Sequence, residues 1–172
     1  LASYFWEYHG AQRPCFISVE PAQADCLLQS AIQGRPAKAT GTVDSVMAGL
    51  ACGETSPLAW RFLQPCVDVF MTIEDEQANE AMRTLAQGSE RDTPIVAGES
   101  GVAGLAALEW LRSDPQRSEQ VGLTAESRVL IISTEGATAP REYTRLVGQS
   151  AEQVLQRQQA WQAAHPFHTQ PA

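Results

Sequence analysis

A chain of 172 residues, 44% hydrophobic and 19% charged, can bury one core and has the balance of a globular protein, not a disordered one. Its net charge of −8 and isoelectric point of about 4.8 leave no basic stripe for phosphates or an anionic bilayer, which excludes nucleic acid and membrane as partners. No apolar run approaches the roughly 20 residues that span a bilayer, and the front of the chain does not read as a signal peptide.

In chain order, LASYFWEYHG reads as the second half of a helix, with Ala2, Phe5 and Trp6 on one side and no cap before it. Residues 15–21, CFISVEP, form a strand that stops at Glu20-Pro21. A helix over 24–33 ends at Gly34, and GRPAKATGT is a loop. Asp44 or Thr42 is expected to cap a short helix through Met47 and Leu50. Ser56-Pro57 starts another helix, serine as cap and proline in its first position, reaching about Cys66. VDVFMTI, 67–73, is the next strand, followed by a helix to Gln87 whose acidic first turn suits the positive end of the helix dipole. TPIVAGESG, 93–101, is a short buried strand or extended segment, and a small-residue helix then runs from Ser100 to about Arg112. Residues 113–127 read as polar loop, 128–133 as the last buried strand, and the remainder as one or two amphipathic helices.

Strands alternating with helices, continuously apolar instead of alternating, imply an α/β fold: an open, mainly parallel sheet with helices on both faces. Residues 1–164 read as one α/β lobe and 165–172 as a disordered tail. The four cysteines, Cys15, Cys26, Cys52 and Cys66, contain no C-x-x-C pair and read as buried thiols of a cytoplasmic protein.

In such sheets ligands bind at the carboxyl ends of strands, beside helix N-termini. Two polar clusters fall there: Glu99-Ser100-Gly101, and Ser133-Thr134-Glu135-Gly136 after the apolar run VLII. The first opens a glycine- and alanine-rich helix, which lets a flat ligand approach free N–H groups; equally, small residues permit close packing and Ser100 is a cap. The second is a pair of hydroxyls for a ligand or a solvated strand-end turn. His165 and His168 lie in a proline-broken tail, so no metal is assigned. His9 is the only histidine outside that tail, and no Ser-His-Asp set or glycine-rich phosphate loop is visible.

The segments VEPAQADCLLQSA, GTVDSVMAGLACGETSPLAWRFL, VDVFMTIEDEQANEAMRTLA, GESGVAGLAAL and LIISTEGATAP fall in an order that resembles the C-terminal part of the diaminopropionate ammonia-lyase family. These are pyridoxal-phosphate (PLP) enzymes of the tryptophan synthase β-like group, fold type II, related to serine and threonine dehydratases. The likeness covers residue 1 to about 147. It implies α,β-elimination of ammonia from 2,3-diaminopropionate to give pyruvate, a small amino-acid substrate, and a homodimer.

The resemblance also implies site residues. A hydroxyl at the end of the last strand bonds the cofactor's pyridine nitrogen, Ser133 first and Thr134 second. Such a neutral partner does not force protonation of the ring, which tempers the electron sink. Glu99 and Ser100 face the ring region, and backbone around Ala48-Gly49 closes over its other side. Glu99 either bonds the polar edge of the ring or ties two loops together.

Two departures accompany the likeness. Some dehydratase relatives hold a divalent cation with the glutamate of VEP and an aspartate six residues on. Here Glu20 is followed at that place by Cys26, so Glu20 is expected to cap or salt-bridge near the strand end. The family's Schiff-base lysine, phosphate loop and acid/base residues belong upstream of these segments. Lys38, the only lysine, does not match that lysine's motif. The expectation is therefore a C-terminal fragment with no catalytic residue of its own, inactive in isolation. A serine or threonine dehydratase, and a binding module that has lost catalysis, are the alternatives.

Overall fold

The β-formers of the first and second apolar runs pair side by side in a computed structural model that describes residues 1–166. Strand β1, Ile17–Pro21, lies parallel to β2, Val69–Ile73, with Ile17 opposite Val69 and Pro21 opposite Ile73. Alternation sorts each strand between two faces. Ile17, Val19, Met71 and Ile73 enter the main core. The opposite face carries Glu20 toward helix α2, Cys26–Gln33, and Phe70 toward helix α3, Pro57–Cys66, where its ring lies 5.7 Å from that of Trp60.

Local chemistry sets the helix ends. Helix α1 spans Ala2–His9. Helix α2 stops at Gly34, whose φ of 66° lies in the left-handed region that glycine adopts without strain. The Ser56 Oγ accepts from Ala59 N–H at 3.4 Å, with Pro57 opening α3 as expected. Helix α4, Asp75–Gln87, leaves β2 directly, and the Gln77 side chain accepts from Glu74 N–H at 2.7 Å. Helix α5, Ala103–Arg112, packs its small residues against α4 and the sheet. Helices α7, Pro140–Val147, and α8, Ala151–Ala164, close the chain and are separated at Gly148. Arg157 on α8 donates to the carbonyls of Ala86 and Gln87, and Arg83 on α4 to that of Leu146, so cations meet the negative ends of α4 and α7.

The expected α/β class with a parallel sheet and helices on both faces is present, and five local expectations are corrected. Residues 128–133 are extended but neither paired nor buried. Val129, Leu130 and Ile132 are 50, 74 and 53% exposed, because among the described residues only β1 and β2 form a sheet. Only Ile131 of this run packs inward, close enough to α5 that a Cβ on Gly104 would sit 2.8 Å from its Cγ2. Residues 113–127 are not all loop. Asp114 accepts from Gln116 N–H at 2.8 Å and, with Pro115 behind it, opens helix α6, Pro115–Gln120.

The helix expected through Met47 and Leu50 is a single 3-10 turn, Ala48–Leu50, held by side chains from elsewhere. The small-residue helix opens at Ala103, not Ser100, leaving 99–102 as turn. Cys26 and Cys66 are buried, but Cys15 and Cys52 are exposed. Among the described residues no helix is long and apolar enough to cross a membrane. The tail expectation at 165–172 and His168 lie largely outside the described residues. His165, which is described, stacks on Trp161.

Candidate functional site

Three segments meet at the carboxyl end of the sheet, where open parallel sheets hold ligands. The first is the turn around Ala48–Leu50. Asp75, the residue that opens α4 directly after β2, accepts from the Ser45 hydroxyl at 2.6 Å and from Val46 N–H at 3.1 Å. The turn is thereby tied to the end of β2, with Met47 buried beneath it. The second is residues 97–102, leading into α5. The third is 133–136, at the end of the VLII run.

Hydrogen bonds join the three. Gly49 N–H donates to Ser100 Oγ at 3.0 Å. Ser100 N–H donates to Glu135 Oε2 at 2.6 Å, and Gly101 N–H reaches the same oxygen at 3.3 Å. Gly98 N–H donates to the Glu135 carbonyl at 3.0 Å. The glycines are required by close approach. A Cβ on Gly101 would lie 2.8 Å from Ser133 Oγ and 2.9 Å from the Glu135 carbonyl oxygen. A Cβ on Gly49 would lie 2.9 Å from Ser100 Oγ.

The structure thus brings Gly49, Ser100 and Ser133 into one neighbourhood. Glu99 precedes Ser100 in the same turn, half-buried and with no side-chain hydrogen bond among the described residues. Thr134 adjoins Ser133, and both hydroxyls are exposed and free of protein partners among the described residues. Sequence reasoning missed Glu135 as a participant. The available signal was a carboxylate placed to reach the free N–H groups ahead of a helix.

Glu20 lies elsewhere and works as a cap. Its two carboxylate oxygens accept from Leu27 N–H at 2.8 Å and Leu28 N–H at 2.9 Å at the start of α2. Burial pushes its carboxyl above the ordinary glutamate value, and those amides pull partly against that. Among the described residues no group of three or more His, Cys, Asp or Glu side chains could hold a metal. Lys38 is exposed in a short backbone bridge to Glu54.

Comparison with known proteins now gives this geometry a context. The family model for pyridoxal-phosphate dependent enzymes matches residues 1–135. Diaminopropionate ammonia-lyase of Escherichia coli (strain K12) is 36% identical over 157 residues, 90% of this chain and 39% of that protein. The Salmonella typhimurium protein of the same name is 38% identical over 159 residues, 88% of this chain and 39% of its own length. The chain therefore spans about two fifths of the curated relatives it matches.

Among solved structures, holo diaminopropionate ammonia lyase from Escherichia coli superposes with a TM-score of 0.73 at 37% identity, covering 83% of this chain and 36% of that one. The same enzyme in complex with an aminoacrylate-PLP azomethine reaction intermediate gives 0.67 at 40% identity, over 76% of this chain and 33% of that one. A bacterial-type threonine deaminase, 23% identical with a TM-score of 0.56 over 66% of this chain and 36% of its own, shares the fold.

Proposed function

The chain belongs to the pyridoxal-phosphate dependent enzymes, and on that premise we propose that the polypeptide carrying it is a carbon–nitrogen lyase that eliminates ammonia from 2,3-diaminopropionate to give pyruvate. The observation that carries this reading is the exposed, unpartnered hydroxyl pair Ser133-Thr134, at the end of an apolar segment and beside glycines at 49, 98 and 101. The donor set fits the cofactor: hydroxyls suit an aromatic nitrogen, and a glycine-lined surface lets a flat ring come close to backbone.

When bound, the cofactor supplies an electron sink for charge developing on the substrate. Ser133 is the preferred partner of the ring nitrogen over Thr134, because its Oγ already lies against Gly101 and is aligned with the turn that carries Ser100. A serine hydroxyl can donate to an unprotonated nitrogen or accept from a protonated one, so it leaves the ring neutral, where an aspartate would hold a proton on it. Ser100 accepts the Gly49 N–H and still has its own hydroxyl proton to donate. Its role is to hold the 48–50 turn as the opposing wall. Glu99, with no partner of its own among the described residues, is assigned to the polar edge of the ring.

Covalent attachment and proton transfer at the substrate are assigned to residues outside these 172, since the only lysine is the exposed Lys38. We place the whole polypeptide in the cytoplasm as a homodimer. The exposed Tyr4, Leu58 and Phe62, at 53, 67 and 53%, are apolar surface available to an interface.

The longest natural polypeptide containing this sequence tests the reading when it is offered 2,3-diaminopropionate, serine and threonine in turn, with pyruvate and 2-oxobutyrate measured. Turnover highest on 2,3-diaminopropionate supports the proposal. Preference for serine or threonine makes the protein a dehydratase. Failure to take up pyridoxal phosphate makes it a binding module.

A further inference from the structure

We infer that Glu135 is a positioning residue, a clamp whose carboxylate sets the spacing between the Gly49 turn, the Ser100 turn and the Ser133 hydroxyl before any ligand arrives. One oxygen, Oε2, accepts both the Ser100 and Gly101 amides, at 2.6 and 3.3 Å. The carbonyl of the same residue accepts from Gly98 at 3.0 Å. One residue therefore holds the 98–101 turn at three amides. The turn passes that constraint on, because Ser100 Oγ takes the Gly49 N–H and Gly101 packs against Ser133 Oγ.

The charge matters because these amides precede α5, where the N-terminal end of the helix favours an anion. A bond at 2.6 Å is in the range of charge-assisted hydrogen bonds, about twice as strong as neutral ones. The segments joined are 35 and 51 residues apart in sequence, so no local turn preference fixes their spacing. What the clamped walls hold rests on the proposed cofactor site; the clamp itself is read from the distances.

Two measurements on the 172-residue chain test the clamp without reference to activity. In the unmutated chain labelled with nitrogen-15 and carbon-13, acidification should move the Ser100 and Gly101 amide protons upfield, with the midpoint of the Glu135 carboxyl carbon. Amides that ignore that carboxyl overturn the inference. In Glu135→Ala, hydrogen exchange at Ser100 should accelerate about tenfold or more, and exchange at Gly49 should accelerate with it through Ser100. Glu135→Gln, which keeps one acceptor oxygen, should restore most of the protection. A Gly49 amide that exchanges alike in all three forms overturns the relay.

In the longest natural polypeptide, Glu135→Ala should weaken pyridoxal-phosphate binding about tenfold and shift its absorption, with Glu135→Gln intermediate. An unchanged spectrum and affinity in Glu135→Ala, with lowered thermal stability alone, would reduce Glu135 to a fold-stabilising residue. If the wild-type polypeptide takes up no pyridoxal phosphate, the proposed function fails, while the amide measurements still decide the clamp.

Discussion

Replacing Gly98 by alanine probes whether the 97–101 turn and the 133–136 segment form one unit. An added Cβ would fall on the carbonyl oxygen of Gly136, and 2.7 and 2.9 Å from Cγ and Cδ of Glu135. The carboxylate end could swing away, but the Gly136 carbonyl belongs to backbone and cannot move without the segment. Relief therefore separates the segments and breaks the Gly98 N–H bond to the Glu135 carbonyl. Overpacking costs about 1–3 kcal/mol, the lost bond about 1 kcal/mol, and the stiffer unfolded chain returns about 0.4–1 kcal/mol. The net loss is about 1–3 kcal/mol.

Gly136 is the matched control, since a Cβ there meets nothing within 4 Å. With a urea slope of about 1–3 kcal/mol/M, Gly98→Ala should lower the unfolding midpoint by about 1 M. Gly136→Ala should leave it unchanged or raise it slightly. Equal midpoints for the two variants, at an unchanged slope, would refute the argument that these segments are in contact.

Glu20→Ala removes two charge-assisted caps of α2 and should cost about 2–4 kcal/mol in chemical denaturation. Because burial holds the Glu20 carboxyl above its ordinary value, its favourable contribution is complete below that value and is lost as pH rises through the folded one. Glu20→Gln should flatten the stability curve there. The Arg13 guanidinium, bonded to both Asp68 oxygens, holds that carboxyl below the ordinary aspartate range. Its contribution is present at neutral pH and lost as pH falls through the lowered value, so Asp68→Asn should weaken the acid limb of the stability profile. Thiol titration of the native chain should label Cys15 and Cys52 first. Cys26, buried and pushed up to about 11, and Cys66 should react only on unfolding.

The elements most legible in the sequence were those whose signals are local. Ser56-Pro57, Gly34 and the acidic turn after Ile73 mark helix ends by backbone chemistry, and the structure places α3, α2 and α4 accordingly. Helix α6 was missed although Asp114-Pro115 carries the same cap-and-proline signal as Ser56-Pro57, because its polar, short body has no apolar face to betray it. The run 128–133 misled for the opposite reason. Its composition is that of a buried strand, but burial depends on neighbouring strands, and composition cannot show whether they lie within these residues.

The site was legible as clusters at strand ends, and the meeting of Gly49, Ser100 and Ser133 agrees with that reading. The connection through Glu135 was not. It joins residues far apart in sequence through backbone amides, which leave no trace in residue identity.

The protonation state of the cofactor's ring nitrogen reports most directly on the account. In the longest natural polypeptide loaded with pyridoxal phosphate labelled with nitrogen-15 in the ring, the resonance should be that of a neutral, hydrogen-bonded pyridine. In Ser133→Asp it should move to the protonated position. A ring protonated in the wild type, or a resonance indifferent to substitution at Ser133, would contradict the assignment of that hydroxyl.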